Sequence, residues 1–257
     1  VNLTLPLVGR YVGDPRAAFL RLTEAPAIPP PFAAYLGVSP SRAIVSGSPE
    51  CFFTWRRDGF ARTYPIKGTS PRSPDLDRDQ REAARLLASE KDRAEHLMIV
   101  DLLRNDLGRL ARAGGVDVEA AAYLESFPTV HHLTSRIAAR LEPGLGAAEV
   151  FRGLFPGGSI TGAPKLRAMQ IIDELEADAR GVYTGSIVAM GPLGTVSNIA
   201  IRTAEIVDGA LRLGVGGGIV YDSDPGSEWA ECEVKARAMS AALTRSAGAE
   251  APRPAPR

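Results

Sequence analysis

The sequence predicts an α+β protein built mainly on antiparallel sheet, and three observations carry that expectation. Residues 1 to about 66 read as short strands and turns; a helical pattern begins at Asp77; strand-like runs return after residue 181. Nowhere do strands and helices alternate in the manner that builds a parallel sheet.

In the opening part, Ala43-Ile44-Val45-Ser46 and Gly59-Phe60-Ala61-Arg62-Thr63-Tyr64 are strand-like, with Pro29-Pro30-Pro31 as a breaker between elements. Arg78 to Ser89 is charged and rich in Ala and Leu, hence helical. Lys91 to Leu107 has apolar residues at 98, 99, 102, 103 and 107, one helix face, and Gly108 is a stop signal. Ala147 to Leu154 predicts a short helix, and Pro164 suits the first turn of another over roughly 164–176. Three strand-like runs follow at Val182–Met190, Val196–Val207 and Ala210–Val220, the last two joined by Asp208-Gly209, a strong hairpin signal. A helix from about Gly226 to Thr244 precedes a tail rich in Ala, Pro and Arg.

Composition narrows the function classes. Lys plus Arg number 30 and Asp plus Glu number 30, so the broad basic field used in sequence-independent nucleic-acid binding is missing. The apolar runs stop well short of the roughly 20 residues a membrane span needs. Cys51 and Cys232 lie far apart and form no Cys-x-x-Cys pair, which predicts a reducing, cytoplasmic setting.

Two glycine-rich segments fail as nucleotide loops. Gly157 to Gly162 has phosphate-loop spacing, but Ala163 and Pro164 stand where Lys and Ser/Thr are required. Gly214-Val215-Gly216-Gly217-Gly218-Ile219 has Ile in the place of the last glycine of a dinucleotide fingerprint. Close backbone approach and a backbone-amide cradle for a carboxylate both remain open there. Asp92 with Glu95, and Glu228 with Glu231, are i,i+3 pairs, each on one helix face. Such pairs are common on solvated helices; two of them meeting around a cation would favour Mg²⁺, since oxygen donors without Cys suit a hard ion. Lys67, between a strand and a turn, is a nucleophile only where desolvation or a nearby cation helps it shed its proton. Glu50 is an acid only if shielded enough to stay protonated. His131 and His132, adjacent on a strand, point to opposite faces, so at most one serves a given pocket.

Taken together, several segments resemble a known family. They are Ser48-Pro49-Glu50, PIKGT (65–69), KDRAEHLMIVDLLRNDLGR (91–109), VHHL (130–133), FPGGSITGAPKLRAM (155–169), NIAIRT (198–203), GGGIVYDSDP (216–225) and the Glu231 to Lys235 segment. These are similar to the chorismate-using enzymes: anthranilate synthase component I, aminodeoxychorismate synthase component I, and the isochorismate and salicylate synthases. The resemblance spans residues 1 to about 244, a chorismate-binding catalytic domain forming the C-terminal part of the family fold, with 245–257 as tail or linker. It implies a sandwich of two large, mainly antiparallel sheets with outer helices.

Lys67 resembles the aminodeoxychorismate synthase branch, where anthranilate synthases have alanine. The resemblance implies that Lys67 attacks C2 of chorismate, that Glu50 assists departure of the C4 hydroxyl, and that ammonia enters at C4. It places His132 near the reacting ring, and Gly68, Thr69 and Ser159 in substrate contact. Glu95 and Glu231 resemble Mg²⁺ ligands supported by Asp92 and Glu228. Gly217 and Gly218 resemble a cradle for the ring carboxylate, with Lys235 adding positive charge, and Arg202 and Tyr183 the pair gripping the enolpyruvyl carboxylate. The implied partner is a glutamine amidotransferase subunit that delivers ammonia. Anthranilate synthase and a non-catalytic chorismate- or partner-binding remnant are the alternatives.

Overall fold

A computed structural model describes residues 1–24, 29–127, 130–244 and 252–254. The chain begins with β1 (Asn2–Arg10), α1 (Pro15–Glu24), β2 (Phe32–Ser39), β3 (Arg42–Ser48), β4 (Cys51–Arg56), β5 (Phe60–Thr63) and β6 (Ile66–Pro71). Helices α2 (Leu76–Ala88) and α3 (Glu90–Gly108) follow, then the long strands β7 (Ala111–Ser126) and β8 (Val130–Leu141). After α4 (Ala147–Leu154) comes a short 3-10 turn at Gly158–Ile160, then α5 (Lys165–Leu175). The last elements are β9 (Val188–Gly191), β10 (Gly194–Asn198), β11 (Thr203–Val207), β12 (Ala210–Gly218), α6 (Pro225–Thr244) and β13 (Arg253–Pro254).

The chain divides into two compact units, each with its own sheet. One comprises Val1–Glu50, Ile160–Ile187 and Asn198–Arg257, and its described strands run in the order β13-β1-β12-β11-β3-β2. Neighbours β1 and β12 pair antiparallel over nine residues each. The core here joins Leu7, Leu213 and Val215 of the sheet to Leu22 of α1 and to Met239 and Leu243 of α6. Burial of each large apolar side chain contributes about 1.5–3 kcal/mol, so these contacts anchor α1 and α6. Asp208 and Gly209 both have positive φ (50° and 77°), the two-residue hairpin turn that the sequence predicts between β11 and β12.

The other unit comprises Cys51–Ser159 and Val188–Ser197. Its strands follow the order β6-β8-β5-β4-β10-β9, and β7 pairs with β8 off that path. Asp75 caps α2 by accepting the Arg78 N–H (2.8 Å), and Ser89 caps α3 by accepting the Asp92 N–H (3.2 Å). Buried Ile99, Leu103 and Leu107 form the inner face of α3, one turn apart as the pattern predicts, whereas Met98 is exposed. Helix α4 docks through Phe151, whose ring lies 6.3 Å from Phe52 and 6.4 Å from Phe53.

Some expectations need correction. Of the Val182–Met190 run only the end, from Val188, is strand, as part of β9. Residues 182–187 form a strap instead, because Thr184 adopts φ +60° and side chains take the backbone donors: Glu205 accepts the Val182 N–H (2.7 Å) and Asn198 that of Ile187 (2.8 Å). The Val196–Val207 run is interrupted at Arg202, φ +49°, and becomes β10 and β11 of different sheets. Most of the 245–257 tail lies outside the described residues; within it Arg253 and Pro254 pair with Val8 and Leu7. Among the described residues no helix is long and apolar enough to cross a membrane.

Candidate active site

Lys67 owes its position to an irregularity in β6. Ile66 pairs with Thr134 and Thr69 with His132 on β8, so Lys67 and Gly68 together face the single residue Leu133. That two-against-one count is a β-bulge, which re-aims a side chain out of the strand's alternation. Gly68 has φ +84°, and a Cβ there would stand 3.1 Å from Leu86 and 3.2 Å from the Asp92 Cβ. Only glycine accommodates both the backbone and the approach of α3. Asp92, in the first turn of α3, thereby packs on the Lys67–Gly68 backbone; Glu95 follows one turn along, and Lys67, Asp92 and Glu95 are all half-buried.

The two histidines divide as strand alternation predicts. His132 Nδ1 lies 2.9 Å from Thr69 Oγ1, with the Phe127 ring 5.6 Å away. His131 takes a structural place: Nε2 meets Asp79 Oδ1 at 3.1 Å and Nδ1 meets Ser126 Oγ at 2.8 Å. Asp79 also accepts from Arg72 at 2.8 and 3.0 Å and from the Ser73 N–H. Arg72 first, then the Ser73 N–H and His131, hold the Asp79 carboxyl well below the usual carboxylate range.

Sequence reasoning passed over His96, which fills the α3 position one turn before Ile99 and is fully buried. Burial above all, and the Lys67 charge after it, push its pKa down to about 4, so the imidazole is neutral. Ser135 Oγ accepts the Ala122 N–H (2.8 Å) and lies 2.6 Å from His96 Nε2, within hydrogen-bond distance. The other ring nitrogen, Nδ1, is buried without a hydrogen-bond partner among the described residues. The signal was a histidine at a core position of an otherwise apolar helix face.

The other unit carries a second group, between β12 and α6. Lys235 Nζ donates to the Gly216 carbonyl (2.9 Å) and pairs with Glu231 at 2.8 Å. Glu228 accepts from Ser223 (2.7 Å), and a Cβ on Gly217 would stand 3.1 Å from its other oxygen. Gly217 is buried and Gly218 exposed with nothing near it, so of the two only Gly217 faces these side chains. Glu50, just after β3, accepts the Ile199 N–H on its carbonyl (3.1 Å). Arg202 meets solvent, yet surrounding protein strips enough water from it to lower its pKa, and the Glu50 charge opposes that shift. The Tyr183 ring occupies the space in which a Cβ of Gly214 would stand. Burial raises the Tyr183 pKa above its ordinary value, keeping the hydroxyl a neutral donor.

One unit thus gathers Lys67, Gly68, Asp92 and, through Thr69, His132, with Ser159 half-buried in the 3-10 turn. The other gathers Gly217, Glu228, Glu231 and Lys235, and separately Glu50 with Arg202 and Tyr183 over Gly214. Both acidic pairs offer only oxygen donors, a set that fits Mg²⁺ in kind. Among the described residues no three His, Cys, Asp or Glu side chains converge into a ready-made metal cluster.

Residues 1–241 match the family model for chorismate binding enzymes. The chain is 47% identical over 232 residues to aminodeoxychorismate synthase component 1 of Escherichia coli, covering 90% of this chain and 50% of that protein. It is 44% identical over 223 residues to anthranilate synthase component 1 of Streptomyces coelicolor, covering 86% and 43%. The crystal structure of anthranilate synthase component I from Streptococcus pneumoniae superposes with a TM-score of 0.78 at 35% identity, over 93% of this chain and 53% of that one. The chain spans about half the length of the curated relatives it matches. On the match over residues 1–241 and the ordered motifs within it, the chain belongs to the chorismate-binding enzyme family.

Proposed function

We propose that this chain is the chorismate-binding catalytic part of an aminodeoxychorismate synthase component I, which converts chorismate and ammonia to 4-amino-4-deoxychorismate, a precursor of 4-aminobenzoate and folate. The observation that carries this reading is Lys67, a primary amine at a bulge in β6, beside Asp92 and near enough for its charge to act on His96. An anthranilate synthase does not need an amine there. Relatives named aminodeoxychorismate synthase component 1 at 47–48% identity support the same choice.

In this reading the Lys67 amine forms a bond to C2 of chorismate while the C4–oxygen bond breaks, and Glu50 gives its proton to the leaving hydroxyl, which departs as water. Ammonia then bonds to C4 as the C2–Lys67 bond breaks, restoring the ring double bonds and the free lysine. Splitting one allylic substitution into two steps is the general benefit of a nucleophilic catalyst. Arg202 and Tyr183 hold the enolpyruvyl carboxylate, Arg202 with the two-pronged geometry of a guanidinium. Gly217, Gly218 and Lys235 receive the ring carboxylate, and His132, Thr69, Gly68 and Ser159 border the substrate. Glu95 and Glu231, supported by Asp92 and Glu228, would hold Mg²⁺, whose charge steadies the ring carboxylate and the developing negative charge.

The name component 1 in the relatives supports a second component, and we assign it the release of ammonia from glutamine. Both cysteines are free and buried, in keeping with a reducing cytoplasm. The test is mass-spectrometric product analysis of the full-length protein with chorismate, Mg²⁺ and an ammonium salt. Aminodeoxychorismate is the expected product; anthranilate or isochorismate would move the chain to another branch of the family, and no turnover by folded protein would support a binding role only.

A further inference from the structure

Arg180 lies in the segment between α5 and β9 and carries none of the roles above. Its guanidinium forms a fork with Glu176, Nε to Oε2 at 2.8 Å and Nη2 to Oε1 at 2.7 Å. Nη1 donates to the Ile160 carbonyl at 2.8 Å and reaches Thr184 Oγ1 at 3.4 Å, and Nη2 also donates to the Asn2 carbonyl at 2.8 Å. Glu176 in turn accepts the Thr4 N–H (2.8 Å) and hydroxyl (3.1 Å). The two side chains are only 14% and 9% exposed. A buried ion pair offsets most of its own desolvation, so its net contribution to stability is small compared with what it does for geometry.

The geometry in question is that of the strap after it. Thr184 is β-branched and buried, yet held at φ +60°, a conformation that persists only where the surroundings over-determine it. The Thr184 N–H is fixed to the Ala200 carbonyl (2.9 Å), and the residue before it, Tyr183, has its ring pressed over Gly214. Thr4, Glu176, Arg180, Tyr183 and Gly214 line one recess of this unit. Arg180 is also close enough to Tyr183 for its charge to act on the phenol, against the effect of burial.

We propose that Arg180 is a positioning residue for Tyr183: its fork to Glu176 holds the strap in the one arrangement that presents the tyrosine hydroxyl to a carboxylate of the substrate. This rests on the proposed function, which supplies that carboxylate. Arg180→Lys keeps the charge and loses the planar fork, so it separates geometry from electrostatics.

The experiment is a double-mutant cycle on the full-length protein with Arg180→Lys, Tyr183→Phe and the double variant, measuring kcat and chorismate KM alongside the thermal midpoint. Each single variant is expected to raise KM about tenfold with kcat within about twofold, and the double variant to match Tyr183→Phe alone. KM increases that multiply to about a hundredfold, or a loss of kcat and thermal midpoint at unchanged KM, would overturn the proposal and leave the proposed function intact. Wild-type protein that neither turns over nor binds chorismate would overturn the function and this inference with it. Should Arg180→Lys fail to fold, Glu176→Gln breaks the same fork and enters the cycle in its place, with the same two outcomes.

Discussion

Two acidic pairs with identical i,i+3 spacing have become different things. On α3, Asp92 is wedged against the Lys67–Gly68 backbone and Glu95 is half-buried beside the neutral His96. On α6, Glu228 is turned toward Ser223 and Gly217, while Glu231 stands 57% exposed and paired with Lys235. The difference lies in what meets the helix: a bulged strand that leaves no room on one side, and a strand of glycines that leaves room on the other. Spacing places two carboxylates on one face; the neighbouring backbone decides whether they are fixed or free.

The sharpest break of that comparison is Gly68→Ala. The left-handed φ and the contact with Asp92 Cβ are both rigid, so we expect a loss of about 2–3 kcal/mol in chemical denaturation. A fall in turnover of at least about a hundredfold should follow as Lys67 is re-aimed. Unchanged stability would mean that the bulge is not rigid.

The second prediction uses pH. His96 titrates near 4 in the folded protein against an ordinary value of 6.5, so between those values the unfolded chain binds a proton that the native one refuses. Stability present above pH 6.5 is therefore lost as pH falls toward 4, by about 2 kcal/mol between pH 7 and 5. Urea midpoints in chelator should show that drop in wild type and a shallower one in His96→Asn; parallel curves would refute it.

The α6 side should be softer. An added methyl in Gly217→Ala meets the end of a flexible glutamate, so we expect a stability change within about 1 kcal/mol. If Gly217 cradles the ring carboxylate as proposed, chorismate KM should rise severalfold. Glu231→Gln is the smallest in stability, below about 0.5 kcal/mol for so exposed a pair, while activity at limiting Mg²⁺ falls. A large stability loss in either would erase the contrast between the helices.

Legibility in the sequence follows the range of the interaction. The β11–β12 hairpin was readable because Asp208 and Gly209 supply both left-handed positions locally. The α3 face was readable at Ile99, Leu103 and Leu107, but the bulge at Lys67 was not, since it is set by register against β8, some 65 residues away. The strap at 182–187 read as strand because its donors are taken by Glu205 and Asn198, side chains no local pattern reveals. Strands β7 and β8 had little local signal: Ala and Glu are frequent in 111–126, and cross-strand pairing overrides propensity there. The candidate site residues are drawn from ordered motifs, whereas the Arg180–Glu176 fork and the burial of His96 depend on packing that the motifs do not encode.

The proposed function turns on a covalent bond between Lys67 and the substrate. The most direct measurement is peptide mapping by mass spectrometry of the full-length protein quenched with chorismate and Mg²⁺ in the absence of ammonia. The expected result is an adduct of chorismate less one water on the peptide containing Lys67, absent from Lys67→Ala. Aminodeoxychorismate formation with no such adduct, undiminished in Lys67→Ala, would contradict it.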